Sequence, residues 1–362
     1  MSEELVSLYD GSDEVLAAIR NRTPQAPPRA VGEIVRTYHP KRLELTVAAV
    51  LPQSPTAVTL RLHRDHGDLP PFLAGQYVNV FYDATSRPYA MSSAPGADHY
   101  DLTIKRVAGG RVSNALIDRV RVGDVLTTTG PMGTFHHNPL FHGDDLVFLA
   151  GGSGVVPAMS MIRDILGENL QRRLHLIYGV TDRSDVIFAQ ELAAITDQRI
   201  RVDVVVGRLL TAEVIRELTG PLQDRMVYIC GPQAMYPFAV EQLRDLGHPR
   251  RRTRFEANGA PSDPTAQASW PSGLDPQTPV TVTARGRSFS SPAGRPLLDA
   301  LEDQGFALEV ACRSGECSLC RVRIVSGVVH NADEARLRLS DRAAGYVHSC
   351  VAYPVTDVSL DW

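Results

Sequence analysis

The 362-residue sequence predicts a multidomain protein that has an antiparallel β-barrel, a parallel α/β domain and a small α+β domain, in that order. Three observations predict this order. Between residues 31 and 140, short alternating apolar segments such as LELTVAAV and YVNVFY are separated by Pro, Gly and Asp, which is typical of antiparallel strands. Between 141 and 258, strands such as LVFLA and RLHLIYGV alternate with helical segments such as PAMSMIRDIL, which indicates a parallel sheet. Between 280 and 362, a hairpin (VTVTARGRSF), a helix (PLLDALEDQG) and a strand (RVRIVSG) predict a compact third domain.

Two further segments are expected to lie outside these domains. Residues 1–30 combine a short helical pattern with the proline-rich TPQAPPR, and we expect an N-terminal arm. Residues 259–279 are rich in Pro, Ser, Ala and Asp and lack periodicity, so we expect a linker. Such a linker would let the third domain move relative to the other two.

The overall charge and hydropathy exclude several classes of protein. The formal net charge is -4 and no long run of like charge occurs, so nothing indicates nucleic-acid binding. No apolar run approaches the roughly 20 residues of a spanning helix, and the N-terminus MSEELVSLYDG is acidic, unlike a signal peptide. We expect a cytoplasmic monomer.

Three of the five cysteines fall within nine residues, CRSGECSLC. The spacing Cys312-x4-Cys317-x2-Cys320, followed by Cys350, is that of plant-type 2Fe-2S ferredoxins. Small residues between the ligands let the loop wrap closely and leave backbone N–H groups free to donate to sulfur. The alternative is a structural zinc site, but such sites usually combine two C-x2-C pairs, whereas Cys350 stands alone. We therefore predict that these four thiolates hold an iron–sulfur cluster.

A glycine turn joins a strand to a helix in DDLVFLAGGSGVVPAMSMI. Backbone amides and the helix dipole at such a turn can hold a pyrophosphate. The G-x-G-x-x-G pattern fails because Pro157 occupies the place of the third glycine, so a tight packing turn is the alternative.

With the downstream CGP, this turn resembles the nicotinamide-binding domain of the ferredoxin-NADP reductase superfamily. The resemblance implies that Cys230 lies beside the nicotinamide ring as a catalytic residue; a buried strand cysteine without a role is the alternative. The implied nucleotide-binding residues are Gly151, Gly152, Ser153, Gly154, Pro157, Cys230, Gly231 and Pro232.

The stretch RPYAMSSAPG resembles the R-x-Y-[ST] flavin motif of the same superfamily. The resemblance implies that Arg87 pairs with the flavin diphosphate and that Tyr89, a catalytic residue, packs on the isoalloxazine, with Pro88 and Ala90 beside it. Ala90 departs from the family, in which Ser or Thr approaches flavin N5. A backbone N–H, or the hydroxyl of Ser92 or Ser93, would have to replace that group.

A second flavin segment, IKRVAGGRVSNAL, resembles the G-G-x-x-S segment of the family. It implies contacts along the ribityl chain and around the diphosphate, made by Ile104, Lys105, Arg106, Gly110, Arg111, Val112 and Ser113. The ending GPMGTF favours FAD, since reductases of the phthalate dioxygenase type use FMN and lack it.

The third domain resembles a ferredoxin, which implies a β-grasp fold. His348 departs from the aliphatic residue usual before the last ligand. The domain order resembles reductase components of phenylacetyl-CoA epoxidase and 3-ketosteroid hydroxylase. It implies that electrons pass from NAD(P)H through FAD and a 2Fe-2S cluster to a partner oxygenase. The alternatives are a reductase of a hybrid-cluster protein or ferredoxin, and a flavin reductase with a zinc-stabilised docking module.

Three finer expectations concern specificity and docking. Asp182 and Asp185 would repel a 2'-phosphate, which favours NADH, although Arg183 could face that phosphate. Glu256 resembles an acidic residue that follows the nicotinamide domain in relatives, with a surface carboxylate as the alternative. An exposed face around the cluster loop is expected to dock the partner, and it includes Arg313, Glu316 and Ser318.

Overall fold

The computed structural model of the chain describes residues 39–83, 85–257, 259–261, 263–333 and 335–362, with Glu33 and Thr37 described singly. The predicted N-terminal arm, residues 1–30, lies outside the described residues. Within them, the strands form one six-stranded sheet, two five-stranded sheets and one two-stranded sheet. The three larger sheets follow one another along the chain, as the sequence predicts.

The first sheet is antiparallel and closes into a barrel. Its strands are β1 (Leu43–Ser54), β2 (Ala57–His63), β3 (Tyr77–Tyr82), β4 (Thr85–Ala90), β5 (Tyr100–Lys105) and β6 (Val125–Thr128). They pair in the order β4-β3-β6-β1-β2-β5, and a bridge between Met91 and Leu102 joins the two edges. Helix α1 (Arg111–Arg119) buries Val112 and Leu116 in the barrel core.

The second sheet is wholly parallel and covered on both faces. Its strands are β7 (Asp145–Gly151), β8 (Arg173–Val180), β9 (Ile200–Val206), β10 (Met226–Gly231) and β11 (Thr253–Ala257), and its helices are α2 (Val155–Gly167), α3 (Ala189–Ala194), α4 (Ala212–Thr219) and α5 (Met235–Asp245). The strand order is β11-β10-β7-β8-β9. In β7, Leu146 and Phe148 join the core that contains α2, whereas Val147 and Leu149 join the core that contains α4 and α5. Burial on both faces explains the unbroken apolar run LVFLA.

The third domain packs a mixed sheet on helix α6, which is the predicted β-grasp arrangement. Its sheet contains β12 (Pro279–Ala284), β13 (Arg287–Pro292), β14 (Arg321–Ser326), β16 (Tyr346–His348) and β18 (Val358–Asp361), with β15 (Val329–Asn331) and β17 (Ala352–Pro354) as a separate pair and α6 (Leu297–Asp303) and α7 (Leu339–Ala343) as helices. The order is β13-β12-β18-β14-β16, with β12 and β18 parallel. The predicted hairpin is confirmed, and its turn residues Arg285 and Gly286 both have positive φ, as a two-residue hairpin turn favours.

Residues 263–279 lie along the third domain. The Trp270 ring packs against His330 and Tyr353, with centroid distances of 5.1 and 6.0 Å. The Tyr353 hydroxyl donates to the carbonyl of Pro261 at 3.2 Å. The predicted linker is therefore held to the third domain by an aromatic cluster.

Candidate functional site

Two cavities open where the three domains meet, and they share Pro88 and Ala90 of β4. The larger has a volume of about 910 Å³ and the smaller about 480 Å³, both within the range of small-molecule sites. The larger cavity is lined by residues of each predicted nucleotide motif, namely Arg87, Tyr89, Lys105, Gly110, Arg111, Val112, Ser113, Ser153, Pro157 and Cys230. The smaller cavity is lined by Cys312 and Cys317 together with Ala90. Arg313 and Cys350 also line the larger cavity, so the end of β4 lies between a dinucleotide-sized space and the cysteine ligands, which border both cavities.

Arg87 lies in the wall of the larger cavity. Its Nη1 donates to Thr85 Oγ1 at 2.7 Å and to the Ser86 carbonyl at 2.9 Å. Burial and, next, the nearby Arg313 guanidinium lower the pKa of Arg87 below its ordinary value. An anion in the cavity would offset both effects, so this side chain fits a diphosphate.

The 110–113 segment forms the start of α1 beside Arg87. The first turn of this nine-residue helix contains no acidic residue, and the N-cap residue, Gly110, offers no side chain to cap it. A methyl group on Gly110 would lie 2.4 Å from Ser113 Oγ and 3.0 Å from the Val107 carbonyl oxygen, so a larger residue would have to displace its neighbours in this close turn. The free first-turn amides and Arg87 face one cavity, and together they fit the diphosphate of FAD.

The other predicted flavin residues have different surroundings. Tyr89 packs against the barrel core, and burial raises its pKa well above the ordinary value, so the phenol stays neutral. The Ile104 side chain is fully buried in the barrel, and Arg106 pairs with Asp118 on the surface, so neither side chain enters the cavity.

Ser92 and Ser93 do not replace the hydroxyl that Ala90 lacks. Both are buried, and neither lines either cavity. Ser92 Oγ donates to the Asp101 carbonyl at 3.1 Å, and Ser93 Oγ accepts from the Asp101 amide at 3.2 Å. Of the groups considered from the sequence, a backbone N–H therefore remains.

The glycine turn is packed against the C-G-P segment. A methyl group on Gly151 would lie 2.8 Å from Met235 Sδ and 3.0 Å from Pro232 Cδ. A methyl group on Gly231 would lie 2.6 Å from the same sulfur atom. Gly152 has a φ of +52° and lies beside the Lys105 ammonium. The larger cavity is lined by Ser153, Pro157 and Cys230, whereas the glycines of the turn do not line it. The packing role and the nucleotide role of this turn are thus compatible.

The two acidic residues after β8 make different contacts. Asp185 accepts from Thr56 Oγ1 at 2.9 Å and pairs with Lys105 at 3.3 Å, which links the second domain to the barrel. Asp182 caps a short turn by accepting from the Ser184 amide at 2.7 Å. Arg183 is exposed. Sequence reasoning missed the Asp185–Lys105 pair, because the two residues lie in different domains.

The cysteine loop surrounds Cys312 with backbone donors. The amides of Ser314, Glu316 and Cys317 each lie 3.4 Å from Cys312 Sγ. Such donors stabilise a thiolate, and they fit an iron–sulfur cluster. Cys312, Cys320 and Cys350 are buried, whereas Cys317 is partly buried. Among the described residues, no three His, Cys, Asp or Glu side chains are placed to hold a single metal ion, and each iron of a 2Fe-2S cluster takes only two cysteines.

His348 is fully buried behind this loop. Its Nδ1 lies 2.7 Å from the carbonyl of Gly315, which only accepts, so Nδ1 carries the proton. His348 thus fastens the loop between two cluster ligands and does not open it to solvent.

The prediction that Arg313 belongs to an exposed docking face is wrong, because its side chain is only 6% exposed. Glu316 and Ser318 are partly buried, and Leu319 is the exposed residue of this loop, at 47%. Glu256 lines the smaller cavity with Glu316, and burial raises the pKa of both carboxyls. The surface-carboxylate alternative for Glu256 is therefore not supported.

Comparisons with known proteins agree with this geometry. Family models match residues 42–137 (oxidoreductase FAD-binding domain), 148–241 (oxidoreductase NAD-binding domain) and 280–355 (2Fe-2S iron-sulfur cluster binding domain). The NADH oxidoreductase HCR of Escherichia coli (strain K12) is 33% identical over 81% of this chain and 90% of its own. The ferredoxin reductase component of 3-ketosteroid-9-alpha-monooxygenase of Mycolicibacterium smegmatis is 34% identical over 87% of this chain and 95% of its own.

The chain belongs to the ferredoxin-NADP reductase superfamily, with a 2Fe-2S domain at its C-terminus. The structure of phthalate dioxygenase reductase, described as a modular structure for electron transfer from pyridine nucleotides to [2Fe-2S], superposes with a TM-score of 0.67. It is 26% identical and covers 89% of this chain and 98% of that one. The cofactors of this reductase are FAD, a 2Fe-2S cluster and NADH or NADPH. The zinc and FMN alternatives are therefore wrong. In the described part of the chain, no helix is long and apolar enough to cross a bilayer.

Proposed function

We propose that this NAD(P)H-dependent reductase delivers its electrons to a separate oxygenase component. The observation that carries this proposal is the shared wall at Pro88 and Ala90, which puts the flavin motif beside both the nicotinamide motifs and the cluster ligands. When bound, FAD supplies the conversion between two-electron hydride chemistry and single-electron transfer. Relatives named as monooxygenase reductase components support the choice of acceptor.

The places of the site residues around the cavities support the roles proposed for them. Arg87 and the first-turn amides of α1 would hold the FAD diphosphate, and Tyr89 would pack on the isoalloxazine. Cys230, which lines the same cavity, would lie beside the nicotinamide. Because hydride transfer between two bound rings needs no acid or base, positioning by these walls is their main contribution.

The test of this function is reconstitution with the candidate oxygenase. Product should form only when NAD(P)H, the reductase and the oxygenase are all present, whereas cytochrome c reduction needs no oxygenase. If the reductase reduced cytochrome c but supported no oxygenase turnover, the assignment of an oxygenase as the acceptor would be overturned, and the assignment of reductase activity would stand.

A second candidate acceptor is a hybrid-cluster protein or a soluble ferredoxin. One observation favours it, since one similar relative is named only as an NADH oxidoreductase, without an oxygenase. Purified acceptors of each class, compared at equal concentration under anaerobic conditions, would separate the two candidates.

We also propose that NADH is the physiological donor. Asp182 is exposed beside Arg183 at the carboxyl end of β8, where its negative charge would oppose a 2'-phosphate. We expect kcat/KM for NADH to exceed that for NADPH by at least about tenfold, a difference that one repelled phosphate can supply. Equal values would contradict this assignment. The monomeric state, the cytoplasmic location and the domain boundaries remain predictions from the sequence.

A further inference from the structure

Arg313 directly follows the first cluster ligand, yet it points away from solvent. Its side chain is 6% exposed, and its backbone has a φ of +54°. Such a conformation is unfavourable for a long side chain and persists only where surrounding contacts hold it. The contacts of the guanidinium show what holds it here.

The Arg313 guanidinium joins the third domain to the barrel. Its Nη2 donates to Thr85 Oγ1 at 2.8 Å, across the domain boundary, and also to Glu302. Its Nη1 donates to Asp299 Oδ1 at 3.2 Å. Asp299 and Glu302 lie three positions apart on α6, so the helix presents both carboxylates on one face.

Thr85 is the barrel side of this junction. Its hydroxyl accepts from Arg313 and from Arg87 Nη1, and it donates to Glu302 Oε2 at 3.0 Å. All hydrogen-bonding capacity of this hydroxyl is thus used, and two of its three hydrogen bonds cross the domain boundary. Moving the domains apart would cost Arg313 and Glu302 their hydrogen bonds to Thr85, which water would have to replace.

A second ion pair between the same domains makes a useful contrast. Lys41 and Glu309 lie 3.2 Å apart, but their side chains are 87% and 73% exposed. An exposed ion pair contributes little free energy to holding the domains together, because solvent screens the charges and the side chains are flexible. The buried network at Arg313, with a fixed fork and several acceptors, sets the domain position far more strongly.

We propose that Arg313 is a positioning residue for the transfer of electrons from the flavin to the cluster. Arg313 anchors the cysteine loop to Thr85 at the start of β4. The anchor fixes the position of the loop relative to Pro88 and Ala90, the β4 residues that line both cavities. In each step one electron leaves the reduced flavin and one enters the oxidised cluster, and Arg313 exchanges neither electron nor proton. The inference uses the intramolecular electron transfer of the family and does not depend on the identity of the acceptor.

The experiment is anaerobic stopped-flow reduction of the holoenzyme by NADH. Flavin reduction and cluster reduction are followed separately by absorbance, and flavin and iron contents are measured for every variant. Arg313 lines the larger cavity together with Arg87, so the rates are compared only in protein with full flavin content. At full flavin content we expect Arg313→Gln to slow cluster reduction by about tenfold, as small displacements of reacting groups do, while flavin reduction stays within twofold. Arg313→Lys keeps the charge but not the fork, so an intermediate rate is expected.

The matched control is Arg323→Gln, which removes an exposed ion pair with Asp361 inside the third domain. It should leave both rates unchanged. A cluster-reduction rate of Arg313→Gln within twofold of the wild type, with full iron content, would overturn the proposal.

Thr85→Val keeps the proposal testable if Arg313→Gln loses its cluster. This variant lies in the barrel, and it removes the hydroxyl that joins the two domains together with its hydrogen bond from Arg87, so its rates are compared only at full flavin content. We expect cluster reduction to be about threefold slower, because Thr85→Val removes a single hydrogen bond to the charged Arg313 guanidinium. Where both variants keep iron, their effects should be less than additive in a double-mutant cycle. Full additivity, or an unchanged rate in Thr85→Val, would show that Arg313 acts only within its own domain.

Discussion

Gly154 lies so close to β10 that a methyl group on it would sit 1.9 Å from the carbonyl oxygen of Cys230 and 2.3 Å from its carbonyl carbon. No real side chain tolerates this approach to backbone. The contact holds the glycine turn of β7 against the C-G-P segment, so the geometry of the nicotinamide site depends on the absence of one carbon atom.

Gly154→Ala should therefore displace β10 and Cys230. We expect a loss of about 2 kcal/mol or more in the free energy of unfolding, as overpacking of a rigid site produces. Hydride transfer from NADH should slow while FAD content stays normal, which stopped-flow and absorbance spectra can check. Gly167→Ala is the control, since nothing lies within 4 Å of its added methyl. Equal behaviour of the two variants would contradict a tight contact at Gly154.

Replacing one cluster ligand should separate the two halves of the electron path. Cys320→Ser is expected to lose most of its iron and acid-labile sulfide, because one of the four thiolate ligands is gone. Flavin reduction by NADH should persist, and cytochrome c reduction should fall. Cys230→Ser should retain full iron, since Cys230 is buried in the second domain. Iron loss in Cys230→Ser would count against the assigned ligand set.

His142 should make the stability of the protein depend on pH. Its Nδ1 accepts from the Asn138 amide at 3.0 Å, and its Nε2 lies 3.1 Å from Arg254 Nη2. Burial and then the Arg254 charge lower its pKa from 6.5 to about 4. Between these values the unfolded chain binds a proton that the folded chain does not, so stability falls as pH falls from 6.5 to 4, by up to about 3 kcal/mol.

The measurement for His142 is urea unfolding of the apoprotein at several pH values from 7 to 4. His142→Gln removes the titrating group, and it should lose less stability over this range than the wild type. Identical pH dependence in the two proteins would show that His142 does not contribute to acid destabilisation.

Ala90→Ser should change flavin reactivity. Ala90 lies in the wall shared by both cavities, where the family has a hydroxyl. Restoring a donor there is expected to raise the rate of flavin reduction by NADH by roughly tenfold, below the effect of a fully preorganised donor. Ala90→Gly is the control, since it also changes packing but adds no hydroxyl. A lower rate in Ala90→Ser than in Ala90→Gly would contradict the role of the hydroxyl.

Motifs with fixed spacing were the most predictable part of the molecule. Cys312, Cys317 and Cys320 lie on one short loop, so local sequence indicates their proximity, and a buried parallel strand such as β7 is readable from its apolar run. Contacts across domain boundaries were not predictable, because they depend on how separately folded units pack. Arg313 looked like a surface residue for this reason, and the pairing of Asp185 with Lys105 left no local pattern.

The aromatic contact of Trp270 with His330 and Tyr353 bears on how such reductases can be cut and recombined. A fragment that begins at residue 280 would lack Trp270 and the carbonyl of Pro261, and it would expose the ring faces of His330 and Tyr353 that Trp270 covers. A gene fusion or domain exchange should therefore place its junction before Pro261, so that the exchanged cassette includes the segment that wraps it.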